Sequence, residues 1–87
     1  MGYYVYILQS ELDNSFYKGF TEDYFVRLVQ HNRGESEYTS NKRPWKLVYA
    51  EELQTKREAL IREKNLKKAA KERLVALINS HKNILKL

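Results

Sequence analysis

The sequence predicts a single α+β domain in which two strands, a helix, a third strand and a helical region follow one another. Three short runs rich in aromatic and β-branched residues, at 3–9, 15–20 and 46–51, are typical of strands. Residues 55–80 instead carry apolar positions at helical spacing. At 87 residues, with 43% hydrophobic and 31% charged positions, the composition is that of one small globular domain.

The first two strands form a predicted hairpin. Residues 3–9 and 15–20 are separated only by the turn-forming segment 10–14. So short a connection favours antiparallel pairing of the two strands.

The first helix is delimited by residues that favour helix ends. Thr21 or Asp23 supplies a side-chain oxygen for the N-cap, and the helix is expected to run to about Asn32. Gly34 ends it, because glycine adopts the left-handed conformation common after a helix. Residues 33–45 that follow are polar and irregular.

The second half of the chain begins with the strand at 46–51. Thr55 and Glu58 then have the spacing of a capping box and predict a helix start. The helical pattern continues to about Ser80, with a break near Ala70 that divides it into two helices. The predicted order is therefore β-β-α-β-α, with one further helix after the break.

Positive charge increases along the chain, whose net charge is +5. Residues 1–26 hold one base and four acids, residues 27–49 five bases and two acids, and residues 50–87 ten bases and five acids. A basic surface attracts polyanions, and phosphate contacts dominate nonspecific binding to nucleic acid. The charge pattern favours a nucleic-acid partner, although many small proteins are mildly basic.

Disulfides and thiolate metal sites are excluded because the chain has no cysteine. No run approaches the ~20 apolar residues that span a bilayer, so no membrane association is expected. The brief apolar start lacks the basic flank of a signal peptide, and we expect a cytoplasmic location.

The tyrosines of the predicted hairpin share one face. Alternation places Tyr4, Tyr6 and Leu8 on one side of the first strand, and Tyr17 and Gly19 on one side of the second. A turn centred near residue 12 would set Tyr6 opposite Tyr17, with Gly19 leaving room for the backbone of a ligand. Ordinary aromatic packing is the alternative.

Glu63 is a carboxylate on an apolar face of the second helix. It shares this stripe with Ala59, Leu60, Leu66 and Ala70. A carboxylate facing a core needs a partner. That partner is either a divalent cation or a base, such as Lys67 one turn on or Arg27 from elsewhere.

Arg27 and His31 are neighbours one turn apart on the first helix. A guanidinium matches two phosphate oxygens, and an imidazole transfers protons near neutral pH. The alternative is a solvated helix edge. His81 lies in a polar stretch and is interpreted as surface.

The order of these features resembles the GIY-YIG nuclease superfamily. The matching positions are Tyr4-Val5-Tyr6, Tyr17-Lys18-Gly19, Thr21, Arg27, His31-Asn32, Gly34, Thr39, Pro44-Trp45, Leu47-Val48-Tyr49, Arg62-Glu63-Lys64 and Leu66-Lys67. They cover nearly the whole chain and are similar to small stand-alone bacterial members related to the N-terminal incision domain of the excision-repair nuclease. Tyr4, Lys18 and Val26 replace the glycine, isoleucine and first arginine of the family motifs.

The resemblance implies a three-stranded antiparallel sheet flanked by helices and an endonuclease that hydrolyses phosphodiester bonds. It gives catalytic roles to Tyr6, Tyr17, Arg27 and His31, and makes Glu63 the ligand of one Mg²⁺ or Mn²⁺ ion. The general base is left open among Tyr6, Tyr17 and His31.

The predicted substrate is nucleic acid, with DNA expected, and sequence selectivity is expected to be weak. The predicted phosphate-backbone contacts are Lys18, Arg33, Lys42, Arg43, Lys64, Lys67, Lys68 and Lys71. A protein partner that supplies substrate recognition is compatible with the small size of the chain. The alternatives are a non-catalytic nucleic-acid-binding module and a protein–protein adaptor.

Overall fold

The structure, a computed structural model, describes residues 2–86 and confirms the α+β class. The elements are β1 (Tyr3–Ser10), β2 (Phe16–Thr21), α1 (Tyr24–Asn32), β3 (Trp45–Leu53), α2 (Lys56–Lys68) and α3 (Lys71–Ile78). Short 3₁₀ turns lie at Ser40–Lys42 and Ile84–Lys86. All strands are antiparallel in the order β2-β1-β3, so β1 is central. No helix within residues 2–86 has the length and apolarity needed to cross a bilayer.

The helices cover the two faces of the sheet. On one face, Tyr6, Leu8 and Trp45 are buried against Tyr24 and Leu28 of α1. The other face buries a larger cluster with α2 and α3, whose members are Val5, Ile7, Tyr49, Ala59, Leu66, Leu74 and Leu77. Burial of these apolar side chains is what fixes the helices to the sheet.

The predicted helix ends are confirmed. Asp23 caps α1 by accepting a hydrogen bond from the backbone N–H of Val26, and Gly34 follows the helix with φ +78°. Thr55 and Glu58 form the expected capping box of α2. The break near Ala70 is also present, since Ala70 is the N-cap residue of α3.

The register of the hairpin differs from the prediction by two residues. Tyr6 lies opposite Gly19, and Tyr17 lies opposite Leu8. The connection turns tightly at Asn14, which has φ 64°, and closes with a hydrogen bond from the N–H of Ser10 to the carbonyl of Ser15. A shift of two residues keeps side chains on the same face, so Tyr6 and Tyr17 still share it, with ring centroids 6.3 Å apart.

The prediction that Gly19 leaves room for a ligand is wrong. A Cβ atom on Gly19 would lie 2.5 Å from both Cζ and Oη of Tyr6. The missing side chain therefore makes room for the ring of Tyr6 itself, which packs over the second strand.

We expect Gly19→Ala to lower the free energy of unfolding by about 1–3 kcal/mol, the usual cost of overpacking a rigid core. Chemical denaturation of the variant checks this. Because one clashing atom is the hydroxyl of Tyr6, Gly19→Ala should cost less stability in a Tyr6→Phe background than in the wild type. An unchanged stability of Gly19→Ala would contradict the packing described above.

Candidate active site

Four polar side chains predicted to be catalytic come together between β1, β2 and α1. The Tyr6 hydroxyl lies 3.0 Å from Nε2 of His31, and a guanidinium nitrogen of Arg27 lies 3.5 Å from the same atom. The Tyr17 ring lies 4.9 Å from the His31 ring, between centroids. Strand alternation presents both phenols to α1, and the four-residue helical spacing aligns Arg27 with His31. The structure thus assembles these four side chains into one cluster, the phenol–imidazole cluster.

His31 is the most deeply enclosed member of this cluster, with 0% of its surface exposed. The alternative of a solvated helix edge is therefore wrong for His31, because the segment after α1 folds over it. Burial, followed by the charge of Arg27, lowers the pKa of His31 to about 4. The imidazole is neutral at physiological pH and can accept a proton.

Because His31 has an ordinary pKa of 6.5 when unfolded, its burial links stability to pH. Between pH 6.5 and 4 the unfolded chain binds a proton that the folded chain does not, so stability falls as the pH falls through this window. We expect His31 to contribute a loss of about 3 kcal/mol between pH 7 and 4. Denaturation measured across this range checks it.

The control for this measurement is the exposed histidine, His81. His31→Gln should remove this part of the pH dependence, whereas His81→Gln should retain it. Equal slopes for the wild type and His31→Gln would show that His31 titrates normally.

Tyr6 is 1% exposed, and its phenol remains protonated at physiological pH. Burial raises the pKa of its phenol, the nearby Arg27 lowers it, and the charges of Tyr17 and Glu63 raise it further. α2, which carries Glu63, packs on the opposite face of the sheet from α1, which carries Arg27 and His31.

Glu63 lies at the boundary between the buried and exposed faces of α2. Ala59 and Leu66 form that face, but Leu60 is 43% exposed and Ala70 lies outside the helix, so the predicted apolar stripe is too wide. The side chain of Glu63 is 20% exposed and lies 3.4 Å from Lys67, the ion pair expected as the alternative partner. Lys67 is itself 55% exposed, and such surface pairs are weak.

On the other side of the buried face of α2, an ion pair between Arg62 and Glu51 joins the helix to the sheet. Nε of Arg62 donates to the carboxylate of Glu51 at 3.0 Å, and the hydroxyl of Tyr49 donates to the same oxygen at 2.6 Å. Burial and then the Glu51 carboxylate raise the pKa of Tyr49 to about 12. This network fixes the rotation of α2 and therefore the direction of Glu63.

Within residues 2–86, no acid pairs with Arg27. Its guanidinium donates to the Gln30 side chain at 2.6 Å, and no carboxylate within residues 2–86 lies within 4.0 Å of it. By contrast, Arg62 is paired with Glu51. Arg27 is half-buried beside Tyr6, so an anion that reaches it meets a cation with little competing solvent.

The carboxylate of Glu63 would give a divalent cation only one protein ligand. Among the described residues, His, Asp and Glu side chains do not gather into any group of three that would hold a metal. A single partly exposed oxygen donor nevertheless fits a cation such as Mg²⁺, which retains several waters and uses phosphate oxygens of its substrate.

The predicted phosphate contacts differ in their surroundings. Lys18 lies on the opposite face of β2 from Tyr17, where it lines a hollow with Lys71. Lys42 is paired with Asp13 at 3.2 Å, and Arg33 lies 4.0 Å from Glu35. The remaining four, Arg43, Lys64, Lys67 and Lys68, are exposed.

Three residues that have no predicted role, Asn32, Thr39 and Trp45, close the site around His31. Nδ1 of His31 lies 2.7 Å from Oγ1 of Thr39, which is 1% exposed. Nε1 of Trp45 donates to the Thr39 carbonyl at 2.8 Å, and the Asn32 amide bonds to both backbone polar groups of Trp45. These residues lie in or beside the irregular segment, where no periodicity indicates which side chains turn inward.

The fold and the cluster define a GIY-YIG catalytic domain, and the model of that family matches residues 2–76. The chain therefore belongs to the GIY-YIG family, whose members are generally endonucleases that act on nucleic acid and typically use a divalent metal.

Its relatives include small stand-alone members of the family. The chain is 38% identical over 78 residues to the UPF0213 protein SSP2268 of Staphylococcus saprophyticus, covering 88% of this chain and 94% of the relative. It is 40% identical over 77 residues to a UPF0213 protein of Staphylococcus aureus, covering 87% and 93%. The solution structure of the UPF0213 protein BH0048 from Bacillus halodurans has a TM-score of 0.61 at 30% identity and covers 99% of this chain and 92% of that one.

Proposed function

We propose that this protein is an endonuclease that hydrolyses phosphodiester bonds, with DNA as the expected substrate, and that it depends on a divalent cation. The observation that carries the proposal is the half-buried Arg27, which has no carboxylate partner within residues 2–86 and lies beside a phenol hydrogen-bonded to a neutral histidine. Hydrolysis of a phosphodiester requires a cation that stabilises the phosphate oxygens and a group that accepts a proton, and this cluster contains both.

The scissile phosphate would lie against Arg27 and the half-buried Tyr17. Arg27 donates to the non-bridging oxygens and stabilises the charge that develops on them in the transition state. Glu63 would hold Mg²⁺ or Mn²⁺, which when bound supplies Lewis acidity toward the phosphate and the leaving oxygen. Lys67, the present partner of Glu63, is exposed and free to move to the substrate backbone.

The acceptor of the proton from the attacking water is the Tyr6–His31 pair. His31 is 0% exposed and Tyr6 is 1% exposed, so the water would have to enter beside the half-buried Tyr17 to reach the Tyr6 hydroxyl, which passes the proton to Nε2 of His31. Tyr6 accepts a proton from water as its own passes to Nε2 of His31, and the hydroxide attacks phosphorus while the ester oxygen leaves. Burial is the main cause of the low pKa of His31, and bound phosphate would offset only the second cause, the charge of Arg27.

The test is a cleavage assay on supercoiled plasmid, single-stranded DNA, branched DNA and RNA. Each substrate is incubated with Mg²⁺, Mn²⁺ or chelator, and binding is measured in parallel. We expect nicks that require the metal. Binding without cleavage in every metal condition would identify a non-catalytic nucleic-acid-binding module, and the absence of both would favour a protein adaptor.

A further inference from the structure

We propose that Thr39 is a positioning residue that holds His31 in the Nδ1–H tautomer and thereby keeps Nε2 free to accept the proton of Tyr6. The catalytic part of this inference rests on the proposed function. The tautomer itself follows from the hydrogen-bond directions around the ring.

The first indication comes from the Thr39 hydroxyl. Its Oγ1 lies 2.7 Å from Nδ1 of His31 and 3.4 Å from the carbonyl oxygen of Ser36. A carbonyl oxygen only accepts, so the Ser36 contact is satisfied only when the hydroxyl proton of Thr39 points to it. The lone pairs of Oγ1 are then left for a proton on Nδ1.

The second indication is independent and comes from the other side of the ring. Arg27 places a guanidinium nitrogen 3.5 Å from Nε2, and a guanidinium has donors only. A proton on Nε2 would face the N–H groups of Arg27. A lone pair on Nε2 instead accepts the Tyr6 hydroxyl at 3.0 Å and attracts the guanidinium. Both sides of the ring therefore favour the proton on Nδ1.

The position of Thr39 is itself fixed, as a tautomer-setting residue requires. It is 1% exposed, and its carbonyl accepts the indole N–H of Trp45. Removing the hydroxyl leaves the buried Nδ1–H without an acceptor, which favours moving the proton to Nε2. The phenol proton of Tyr6 then faces an N–H and has no acceptor, so the proton relay is interrupted.

The experiment uses the whole chain labelled with ¹⁵N at histidine, in which long-range ¹H–¹⁵N correlation spectra distinguish protonated from unprotonated ring nitrogens. We expect the unprotonated signal of His31 to belong to Nε2 in the wild type and in Thr39→Ser, and to move toward Nδ1 in Thr39→Val. The exposed His81 is the internal reference. Thr21→Val, a buried threonine whose hydroxyl bonds only the backbone of Asp23, controls for general loss of stability.

Cleavage is measured on the same samples. Thr39→Val should lower kcat about 10- to 100-fold, the usual effect of losing a partner that orients a histidine, with KM nearly unchanged. Thr39→Ser should restore kcat. An unprotonated Nδ1 in the wild type overturns the proposal, and so does unaltered kcat in a folded Thr39→Val.

The spectra separate this proposal from the proposed function. If Nδ1 carries the proton and Thr39→Val alters it, yet no variant cleaves any substrate, the tautomer assignment stands and the endonuclease proposal fails. If Thr39→Val does not fold, the wild-type and Thr39→Ser spectra still decide the tautomer.

Discussion

Replacing Arg27 with alanine is expected to reduce cleavage by about 100- to 1,000-fold, the usual cost of removing one preorganised donor from a transition state. The guanidinium is half-buried and lacks a carboxylate partner within residues 2–86, so the substrate phosphate is the anion that it best accommodates. Its loss should appear mainly in kcat, measured in single-turnover nicking of plasmid.

The matched control is Arg73→Ala, an exposed arginine on α3. It removes the same charge from the chain and should leave kcat close to that of the wild type. Arg27→Lys keeps the charge but not the two-pronged geometry, and we expect it to recover only a small part of the activity. Cleavage by Arg27→Ala at the wild-type rate would remove Arg27 from the reaction.

Glu63→Gln is expected to abolish the metal-dependent part of cleavage, a loss of at least about 100-fold. Glutamine has nearly the same shape but a much weaker affinity for Mg²⁺, so the metal concentration needed for half-maximal activity should rise steeply. Stability should change little, by about 0.5 kcal/mol or less, because the pair with Lys67 is exposed.

Glu72→Gln on α3 serves as the control, since this carboxylate is exposed and lies on another helix. Its metal titration should overlay that of the wild type. A titration of Glu63→Gln that also overlays the wild type would show that Glu63 does not hold the cation, and its pairing with Lys67 would then be its whole role.

Local signals in the sequence were sufficient for the helix ends but not for the strand register. Asp23, Thr55 and Gly34 act on backbone groups within a few residues, so their roles are readable without the fold. The hairpin register depends on how many residues the turn contains, and the loop 11–14 between the bonded Ser10 and Ser15 is two residues longer than the predicted pairing allows. The error was an even number of residues, which is why the shared face of Tyr6 and Tyr17 survived it.

The members of the candidate site were predictable, whereas their environment was not. Arg27 and His31 follow from helical spacing, but the burial of His31 depends on Thr39 and Trp45 from a segment without periodicity. The direction of Glu63 likewise depends on the Arg62–Glu51 pair across α2, a contact between distant parts of the chain that residue spacing does not reveal.

Tyr6 lies on the central strand β1, which is hydrogen-bonded to a neighbouring strand along each edge. Arg27 and Glu63 instead lie on the helices that cover the sheet. Amides of β1 should therefore exchange with deuterium only through global unfolding, while those near the helix ends exchange through small local openings. His31 lies in the last turn of α1, so its hydrogen bond with Tyr6 joins the slowly exchanging strand to a helix end that opens locally.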